Sequence, residues 1–373
     1  MKTKLGQYCK FQEGYVNPSQ KNSEYFDGDI KWLRAVDLNN SSVYTTSRTL
    51  TKAGFDSAGK SALLFKPNTI AISKSGTIGR LGMLKDYMCG NRAVINIEVS
   101  DEVDLYYVYY WLLFKQKQIA DLAVGTVQKN LYVSILENFV FRYVNIIEQK
   151  KISKVLKDID DKIELNNKIN KNLEEQALLL FKSFFIDFYQ NNGLLPNNWS
   201  KYKLSDFLPV ITGKKNANCS STNGKYPFFS CSQNISWTND YSFNGSAILV
   251  AGNGDFNVKF YKGKFEAYQR TYVLIPFDQS LTSFLFYVVK YNLNQITKDA
   301  RGSVINFITK SDLDNLEFCA PQLINNSSMI NAFNIYNTCI LRNVKENSKL
   351  SKLRDSLMAK LMSGEIDVSK IDI

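Results

Sequence analysis

A long stripe of apolar residues marks the middle of the chain. Between residues 148 and 185, apolar side chains return at alternating steps of four and three, the repeat of a coiled-coil helix. A helix of roughly 35 residues, at about 1.5 Å per residue, is on the order of 50 Å long. The pattern predicts one long helix over 147–190. The stripe contains Ile152, Leu156, Ile159, Ile163, Asn166, Asn170, Leu173, Ala177, Leu180 and Phe184.

The same stripe occurs a second time further along the chain. Corresponding places in the two stripes are a constant number of residues apart, the number from Ile152 to Met329, and we call this distance the repeat offset. Apolar residues fill the corresponding places except for Arg354, and asparagine again takes the two central places. The pattern predicts a second long helix over 323–362, followed by a tail at 363–373. The places are taken by Met329, Phe333, Tyr336, Ile340, Asn343, Asn347, Leu350, Arg354, Leu357 and Leu361.

The central asparagines predict how the two helices pair. If the helices run antiparallel and their centres meet, Asn166 faces Asn347 and Asn170 faces Asn343, so each amide finds an amide partner. A slip by one heptad would leave these amides against Ile or Leu. Each unpaired polar group would then lower the stability by about 1–3 kcal/mol. The alternative is that each stripe packs on its own globular domain and leaves the asparagines at solvent.

A shorter motif precedes each stripe and repeats at the same offset. Residues 123–141 read AVGTVQKNLYVSILENFVF, and residues 300–318 read ARGSVINFITKSDLDNLEF. The two segments share alanine, glycine, valine, serine, leucine, asparagine and phenylalanine at corresponding places without a gap. This agreement favours an internal duplication over a chance likeness.

The N-terminal parts of the two halves correspond more weakly. KLGQYCKFQEG (4–14) aligns with KLSDFLPVITG (203–213), AISKSG (71–76) with AILVAG (247–252), and NRAVINI (91–97) with QRTYVLI (269–275). These segments predict short β-strands between glycine turns. We therefore expect mixed α/β domains over 1–146 and 191–322, separated by the Asn-rich segment NNGLLPNNWS at 191–200.

Charge and composition favour a binding protein. The 373 residues contain 46 Lys and Arg against 35 Asp and Glu, a formal charge of +11, which favours a polyanionic partner such as nucleic acid. The chain has no histidine, which removes the commonest general base and most zinc sites. It also has no phosphate-binding GxxxxGK[ST] loop and no Pro-Pro pair, so the Asn/Asp-Pro-Pro-aromatic signature of amino-methyltransferases is absent.

Cysteine spacing and hydropathy bear on the compartment. The six cysteines are scattered and lack metal-site spacing, so we expect reduced thiols in a cytoplasmic protein and no metal site. The first residues have no apolar signal region, and no apolar run reaches about 18 residues. Neither secretion nor membrane insertion is expected.

The whole chain resembles the specificity subunits of type I restriction-modification systems. The resemblance rests on two variable domains alternating with two long helices, on the A-x-G-[ST]-V motif leading into S-x-L-x-N before each helix, and on the ending LMAKLMSGEIDVS (357–369). It implies two target-recognition domains joined by helices in an antiparallel coiled coil with pseudo-twofold symmetry. Each domain would read one half of a bipartite asymmetric target in double-stranded DNA.

The resemblance also implies the partners. The paired helices would set the spacing of the two half-sites and dock two modification (methyltransferase) subunits, and separate restriction subunits would cut the DNA. S-adenosylmethionine, ATP and Mg²⁺ are expected in those partner subunits, and no cofactor or catalytic residue in this chain. The alternative is a two-domain coiled-coil adaptor without DNA recognition, and a nuclease or methyltransferase in its own right is disfavoured by the missing motifs.

Candidate contact residues carry side chains that suit DNA. Arg pairs with guanine and Asn or Gln with adenine, while Lys, Ser and Thr mostly contact phosphates. The candidates of the first domain are Arg34, Lys74, Ser75, Thr77, Arg80, Asn91, Arg92, Gln128, Lys129 and Asn130. Those of the second domain are Lys214, Lys215, Gln233, Asn234, Asn253, Gln269, Arg270 and Arg301.

These candidates have structural alternatives. Arg92 and Arg270 share a place in the alignment, and a structural ion pair common to both domains explains them equally well. Lys214 and Lys215 also fit a solvated surface pair. For Trp32 and Trp237 we expect a core role, although a tryptophan can stack on an extruded base. Gly125 and its repeat counterpart fit backbone turns.

The end of the first helix is apolar nearly all round. LLLFKSFFIDF (178–188) has more apolar side chains than one stripe can bury. We expect this end to pack on the second globular domain or on a methyltransferase subunit. The residues concerned are Leu178, Leu179, Phe181, Phe185 and Phe188.

Overall fold

The computed structural model describes residues 1–125, 129–221, 224–298, 306–324 and 328–369. Contacts within the chain divide it into two compact units. The first unit is Met1–Leu165 with Glu346–Ile373, and the second is Asn166–Lys345. Each unit contains one globular domain and one part of each long helix.

The first globular domain is built from short strands and short helices. Its strands are β1 (Lys2–Lys4), β2 (Cys9–Glu13), β3 (Phe26–Leu33), β4 (Ser41–Val43), β5 (Thr49–Leu50), β6 (Leu64–Phe65), β7 (Ile70–Ser73), β8 (Leu81–Leu84), β9 (Met88–Gly90), β10 (Val94–Val99) and β11 (Val140–Arg142). Its helices are α1 (Lys52–Asp56), α2 (Leu105–Phe114), α3 (Gln116–Asp121) and α4 (Val133–Glu137). The sheets have the strand orders β2-β10-β7-β8-β4, β5-β3-β9-β6 and β1-β11.

The second globular domain follows the first long helix, α5 (Ile146–Phe181). Its strands are β12 (Trp199–Lys203), β13 (Val210–Thr212), β14 (Tyr226–Phe229), β15 (Ser236–Thr238), β16 (Phe243–Ala251), β17 (Val258–Ala267), β18 (Thr271–Leu274) and β19 (Glu317–Pro321). Its helices are α6 (Thr282–Tyr291), α7 (Leu293–Lys298) and α8 (Lys310–Asp314), and the second long helix is α9 (Ser328–Ser363). The sheets have the orders β13-β18-β16-β17-β14-β15 and β12-β19. The expected fold class, two mixed α/β domains each followed by a long helix, is confirmed.

In each unit the core is shared between the domain and both long helices. In the first unit, Leu156 of α5 and Met362 of α9 are fully buried in the same cluster as Tyr110 of α2. In the second unit, Ala177 of α5 and Phe333 of α9 are fully buried against α6. At about 25 cal/mol per Å² of buried apolar surface, these contacts stabilise the helices far more than their intrinsic propensity.

The strand pairing shows which residues of the two units correspond. Glu13 of β2 lies opposite Ile95 of β10, and Thr212 of β13 lies opposite Tyr272 of β18. Since KLGQYCKFQEG and KLSDFLPVITG align Glu13 with Thr212, Ile95 corresponds to Tyr272. The distance along the chain from Ile95 to Tyr272 equals the repeat offset of the motif and of the stripes.

This offset corrects the alignment of NRAVINI with QRTYVLI, which is wrong by one residue. Arg92 corresponds to Gln269, and Arg270 corresponds to Ala93. Arg92 and Arg270 therefore do not share a place in the repeat. The slip matters physically, because successive side chains of a strand point to opposite faces.

The alignment of AISKSG with AILVAG is also wrong, by two residues. Ser73 of β7 lies opposite Val94, and Ala251 of β16 lies opposite Thr271. Ser73 thus corresponds to Ala251. The error arose because a short apolar strand matches another at several offsets.

A pair of glycines supports the corrected alignment. A Cβ atom on Gly14 would lie 2.3 Å from the carbonyl oxygen of Asn91, and one on Gly213 would lie 2.2 Å from that of Tyr268. Asn91 and Tyr268 are again separated by the repeat offset. Both domains thus require glycine at this place, because the backbone of a neighbouring loop occupies the space of a side chain.

The long helices pair antiparallel within each unit. In the second unit, Nδ2 of Asn343 donates to Oδ1 of Asn170 at 2.9 Å, the partner that the stripes predict. In the first unit, Nδ2 of Asn347 lies 3.5 Å from the carbonyl oxygen of Ile163. Asn166 and Asn343 are only 1% and 7% exposed, so the alternative that leaves the asparagines at solvent is wrong. The pairing of Asn166 with Asn347 stays a prediction.

The apolar end of α5 and the segment after it, which begins with a π-helical turn at Lys182–Ile186, divide their side chains between core and surface. Phe181 and Phe185 are 1% and 3% exposed and belong to the core of the second unit. Leu178 packs against that core and Phe188 packs edge-on against Trp199, whereas Leu179 is 67% exposed.

Candidate nucleic-acid interface

Backbone hydrogen bonds join three loops of the first unit beside the end of β7. The N–H of Lys74 donates to the carbonyl of Ala93 at 2.7 Å, and the carbonyl of Lys74 accepts from the N–H of Leu131 at 2.9 Å. The loop after β7, the β9–β10 loop and the loop after α3 therefore lie side by side. Each of the three loops carries an exposed cation, and these are Arg80, Arg92 and Lys129.

The loop after β3 joins the same cluster. The N–H of Asn91 donates to the carbonyl of Leu33 at 3.0 Å, which places the neighbouring Arg34 close to the β9–β10 loop. The guanidinium of Arg34 donates to the hydroxyl of Ser47 at 2.6 Å and lies over the ring of Trp32. It also lies 4.0 Å from the carboxylate of Asp37. Arg34 is thus held in a fixed orientation by its neighbours.

The candidates in the first unit differ in how free their charge is. The ammonium of Lys74 pairs with the carboxylate of Glu13 at 2.7 Å, and both side chains are largely covered. Arg80 and Arg92 are exposed, and within the described ranges neither has a carboxylate at ion-pair distance. The charges of the two arginines are therefore available to a phosphate or a base, whereas that of Lys74 is largely neutralised.

The remaining candidates of the first unit lie in the same loops. Thr77 is exposed and Ser75 half-buried in the loop after β7. The side chain of Asn91 accepts from the N–H of Ala93 within its own turn, and the backbone of Asn130 pairs with that of Val124. Gln128 lies outside the described residues.

The second unit repeats the loop arrangement at corresponding residues. The N–H of Gly252 donates to the carbonyl of Arg270 at 2.9 Å, and the carbonyl of Gly252 accepts from the N–H of Ile308 at 3.0 Å. Gly252, Arg270 and Ile308 correspond to Lys74, Ala93 and Leu131. A common backbone framework thus holds the loops of both domains, while the side chains on it differ.

Further loops of the second unit meet at the same place. The N–H of Gln269 donates to the carbonyl of Lys215 at 3.0 Å, and Sγ of Cys231 lies 3.3 Å from the carbonyl of Arg270. Nε2 of Gln233 donates to the carboxylate of Asp255 at 3.1 Å. The candidates Lys214, Lys215, Gln233, Asn234, Asn253, Gln269 and Arg270 therefore lie on adjacent loops. Arg301 lies outside the described residues.

The exposed side chains of this cluster carry the free charge and amide groups. Lys214, Gln269 and Arg270 are all exposed, and Arg270 has no carboxylate at ion-pair distance among the residues that the structure describes. Asn253 is half-buried, and its backbone forms a bridge with Phe307. Arginine and glutamine are the side chains that recognise guanine and adenine.

The sequence interpretation missed Lys259 and assigned Trp237 to the core. Trp237 on β15 is 49% exposed, so the expected core role is wrong for it, whereas Trp32 is 3% exposed and donates its indole N–H to the carbonyl of Val16. Lys259 donates to the carbonyl of Ser232 at 2.8 Å, and burial lowers the pKa of its ammonium. The alternation of β17 carried a signal for Lys259, because it puts this lysine on the same face as Tyr261 and Phe265, which pack in a core cluster.

Among the residues described, no group of three or more His, Cys, Asp and Glu side chains could hold a metal ion. The described helices include none that is both long and apolar enough to cross a membrane. Gly125 has a φ of 143°, a backbone conformation that favours glycine, as expected for a turn.

Comparisons with known proteins agree with the duplicated fold. The family model described as type I restriction modification DNA specificity domain matches residues 1–175 and again residues 196–351. The chain is 28% identical to the MjaIX specificity subunit of Methanocaldococcus jannaschii, over 96% of this chain and 91% of that protein. It is 42% identical to the EcoDI specificity subunit of Escherichia coli, over 35% of this chain and 29% of that protein.

A solved structure shares the fold. The S subunit of a type I restriction-modification system from M. genitalium superposes with a TM-score of 0.55 at 18% identity, covering 97% of this chain and 95% of that one. Two matches of one DNA-specificity model, arranged over nearly the whole chain, favour DNA recognition over the adaptor alternative. The chain belongs to the type I restriction-modification DNA specificity family.

Proposed function

We propose that this protein is the specificity subunit of a type I restriction-modification complex, and that each loop cluster reads one half of a bipartite, asymmetric DNA target. The observation that supports this most strongly is the shared backbone framework around Lys74 and Gly252, which presents different side chains in the two units. Two different readers on one framework suit a target with two unequal halves.

Exposed side chains assign roles within each half-site. Arg92 and Arg270 have the free guanidinium groups that recognise guanine in the major groove, and Gln269 has the amide that recognises adenine. Arg80, Lys129 and the other exposed lysines of the loops suit phosphates, which position the protein without reading sequence.

The long helices have a separate role in this proposal. They hold the two recognition domains at a set separation and dock two methyltransferase subunits, which contain S-adenosylmethionine, while restriction subunits use ATP and Mg²⁺. Exposed apolar side chains along both helices support docking, since such groups are enriched at protein interfaces. They include Leu165, Ile169, Leu179, Ile335, Val344 and Leu353, each at least 40% exposed. The chain would work in the cytoplasm, where its DNA target lies.

The first experiment is to map methylated adenine across the genome of cells with and without this gene. We expect one two-part motif with an unread gap to disappear when the gene is deleted. Persistence of every motif in a strain whose methyltransferase subunit is active would contradict the proposal.

Arginine variants then test the assignment of the half-sites. Arg92→Ala and Arg270→Ala should each cost about 1–3 kcal/mol and relax the motif at one base, each in a different half. Arg342→Ala is the matched control, because Arg342 is exposed on α9 and away from the loops. A motif unchanged in both loop variants, together with a lower melting temperature, would assign the arginines to structure.

Binding of the purified chain to duplex DNA separates the proposal from the adaptor alternative. A reader that contacts several phosphates loses affinity steeply between about 50 and 200 mM salt, about a thousandfold or more for six contacts. An adaptor would show no such dependence.

A further inference from the structure

A charged cluster fixes the helices to the globular domain in the first unit. Nη1 of Arg354 donates to one carboxylate oxygen of Asp160 at 2.7 Å, and the hydroxyl of Tyr110 donates to the other at 2.7 Å. The Arg354 and Asp160 side chains are only 18% and 27% exposed. Arg354 is the residue that interrupts the apolar stripe of α9.

The corresponding place in the second unit is neutral. By the repeat offset, Tyr110 and Asp160 correspond to Tyr287 and Asn337, and Arg354 corresponds to Ala177. The hydroxyl of Tyr287 donates to Oδ1 of Asn337 at 3.1 Å, and Ala177 is fully buried. The tyrosine is thus common to both units, while the ion pair belongs to the first unit alone.

A second ion pair shows the opposite distribution. In the second unit, the ammonium of Lys290 on α6 pairs with the carboxylate of Glu174 on α5. The corresponding residues in the first unit are Leu113 and Ser351. Each unit therefore has its own partly buried ion pair where the other has uncharged side chains.

The two ion pairs have the same polarity along the chain, meaning that in both the negative charge comes from one half of the chain and the positive charge from the other. Both carboxylates, Asp160 and Glu174, come from the first half, and both cations, Lys290 and Arg354, come from the second half. A third contact, between Lys162 and Glu346, has the reverse polarity. It spans 4.0 Å between side chains that are 46% and 44% exposed, so solvent screening leaves it little weight.

This polarity disfavours pairing of like halves. If two copies of the first half paired, Ala177 would take the place of Arg354, and Glu174 the place of Ser351. Asp160 and Glu174 would then be partly buried without a cation. If two copies of the second half paired, Arg354 would face Asn337 and keep only Asp355 of its own helix, a carboxylate that is 58% exposed. Lys290 would face Ser351 and lack a carboxylate. Partly buried charges without partners are costly.

Side-chain size adds to the discrimination. Phe181 and Phe185 fill the core of the second unit, and the corresponding residues in the first unit are Met358 and Met362. Aromatic rings in the place of the two methionines would overpack the first core, which also costs stability.

We propose that Asp160–Arg354 and Glu174–Lys290 form a pairing code, by which each half of this chain binds the other half and rejects a second copy of itself. The code ensures that one molecule contains two different recognition units. It concerns folding and self-association, so it holds or fails independently of DNA recognition.

Charge reversal in the full-length chain tests the code. Asp160→Arg and Arg354→Asp each put like charges into the pair, and the double variant restores opposite charges in reverse. Each single variant should lower the melting temperature by about 5 °C or more, and the double variant should recover most of the loss. Loss of the Tyr110 hydrogen bond is common to Asp160→Arg and the double variant, so the mutant cycle cancels it. If the melting temperature of the double variant were no higher than that of the less stable single variant, the proposal would be overturned.

Mixing the two single variants tests whether the code selects partners. The arginine that replaces Asp160 in one chain matches the aspartate that replaces Arg354 in the other, and the remaining two halves match as well. Chains with tags of different mass, refolded together, should yield a species of twice the monomer mass with one copy of each variant by native mass spectrometry. Folded variants that stay monomeric in the mixture would contradict partner selection.

A milder variant covers the case in which charge reversal prevents folding. Asp160→Asn with Glu174→Gln removes both carboxylates and with them the charge penalty for pairing two first halves. The share of dimer, measured by light scattering over a range of concentrations, should rise severalfold over the unmodified chain. An unchanged share would overturn the proposal. Lys154→Gln with Lys171→Gln, at exposed positions of α5, is the control, and it should leave the share unchanged.

Discussion

Truncation of Phe181 gives a sharp test of how the end of α5 is held. Its ring lies 5.3 Å from that of Phe185, 5.4 Å from Tyr291, 6.1 Å from Phe284 and 6.2 Å from Phe333, and the side chain is 1% exposed. Phe181→Ala would leave a cavity surrounded by four aromatic rings. For buried phenylalanine this costs about 3–5 kcal/mol of unfolding free energy.

The expected loss translates into a measurable shift. For a cooperative unit of about 150–250 residues, each kcal/mol lowers the melting temperature by about 2–4 °C, so Phe181→Ala should lower it by about 6–20 °C. Thermal and urea unfolding, followed by circular dichroism, would measure the change. The urea slope should stay constant if the native state remains compact.

Leu179→Ala is the matched control, two residues away on the same helix. Since Leu179 is 67% exposed, its truncation should change the unfolding free energy by less than about 0.5 kcal/mol. A loss for Phe181→Ala of less than about 1 kcal/mol, or no greater than that for Leu179→Ala, would refute a core role for the ring. A Leu179→Ala chain that is stable but binds the methyltransferase subunit less tightly would support docking at this exposed side of α5.

Local contacts give three further predictions. Asn343→Leu should lower the unfolding free energy in urea by about 1–3 kcal/mol, because the amide of Asn170 loses its partner. Replacing both Asn343 and Asn170 by leucine should recover stability. Equal losses in the single and the double variant would contradict this. Lys74→Met should leave the salt dependence of DNA binding unchanged, because the carboxylate of Glu13, at 2.7 Å, already pairs with the charge of Lys74. If the slope of log affinity against log salt concentration were smaller by about 0.9, Lys74 would contact a phosphate. Burial raises the pKa of the Cys9 thiol to about 12, so the unreactive neutral thiol dominates at pH 8. Iodoacetamide should therefore label the half-buried Cys339 well before Cys9. Equal labelling rates, measured by mass spectrometry, would refute this.

The antiparallel helices show how far a one-dimensional pattern reaches. A stripe with steps of four and three specifies a helix and its apolar face, and polar residues inside the stripe restrict the register. The bond between Asn343 and Asn170 follows from that reasoning. The charge of Arg354 interrupted the pattern and had no explanation in sequence, since its partner Asp160 is remote along the chain and lies on the other helix.

The loop candidates show where sequence reasoning fails. Residue type marked Lys74 and Arg92 alike, yet Glu13 approaches Lys74 from a distant strand, whereas no described carboxylate lies at ion-pair distance from Arg92. Short apolar strands also allowed alignment errors of one and two residues. Backbone pairing removed them and showed that Arg92 corresponds to Gln269.

The sequence by itself determined the duplication, the two α/β domains, the long helices and the basic character, because these depend on periodicity, spacing and composition along the chain. Tertiary structure alone decided which charges are free, which tryptophan is buried, and where each half contributes its ion pair. Those properties depend on contacts between segments far apart in sequence, and no local pattern records the distance between two such side chains.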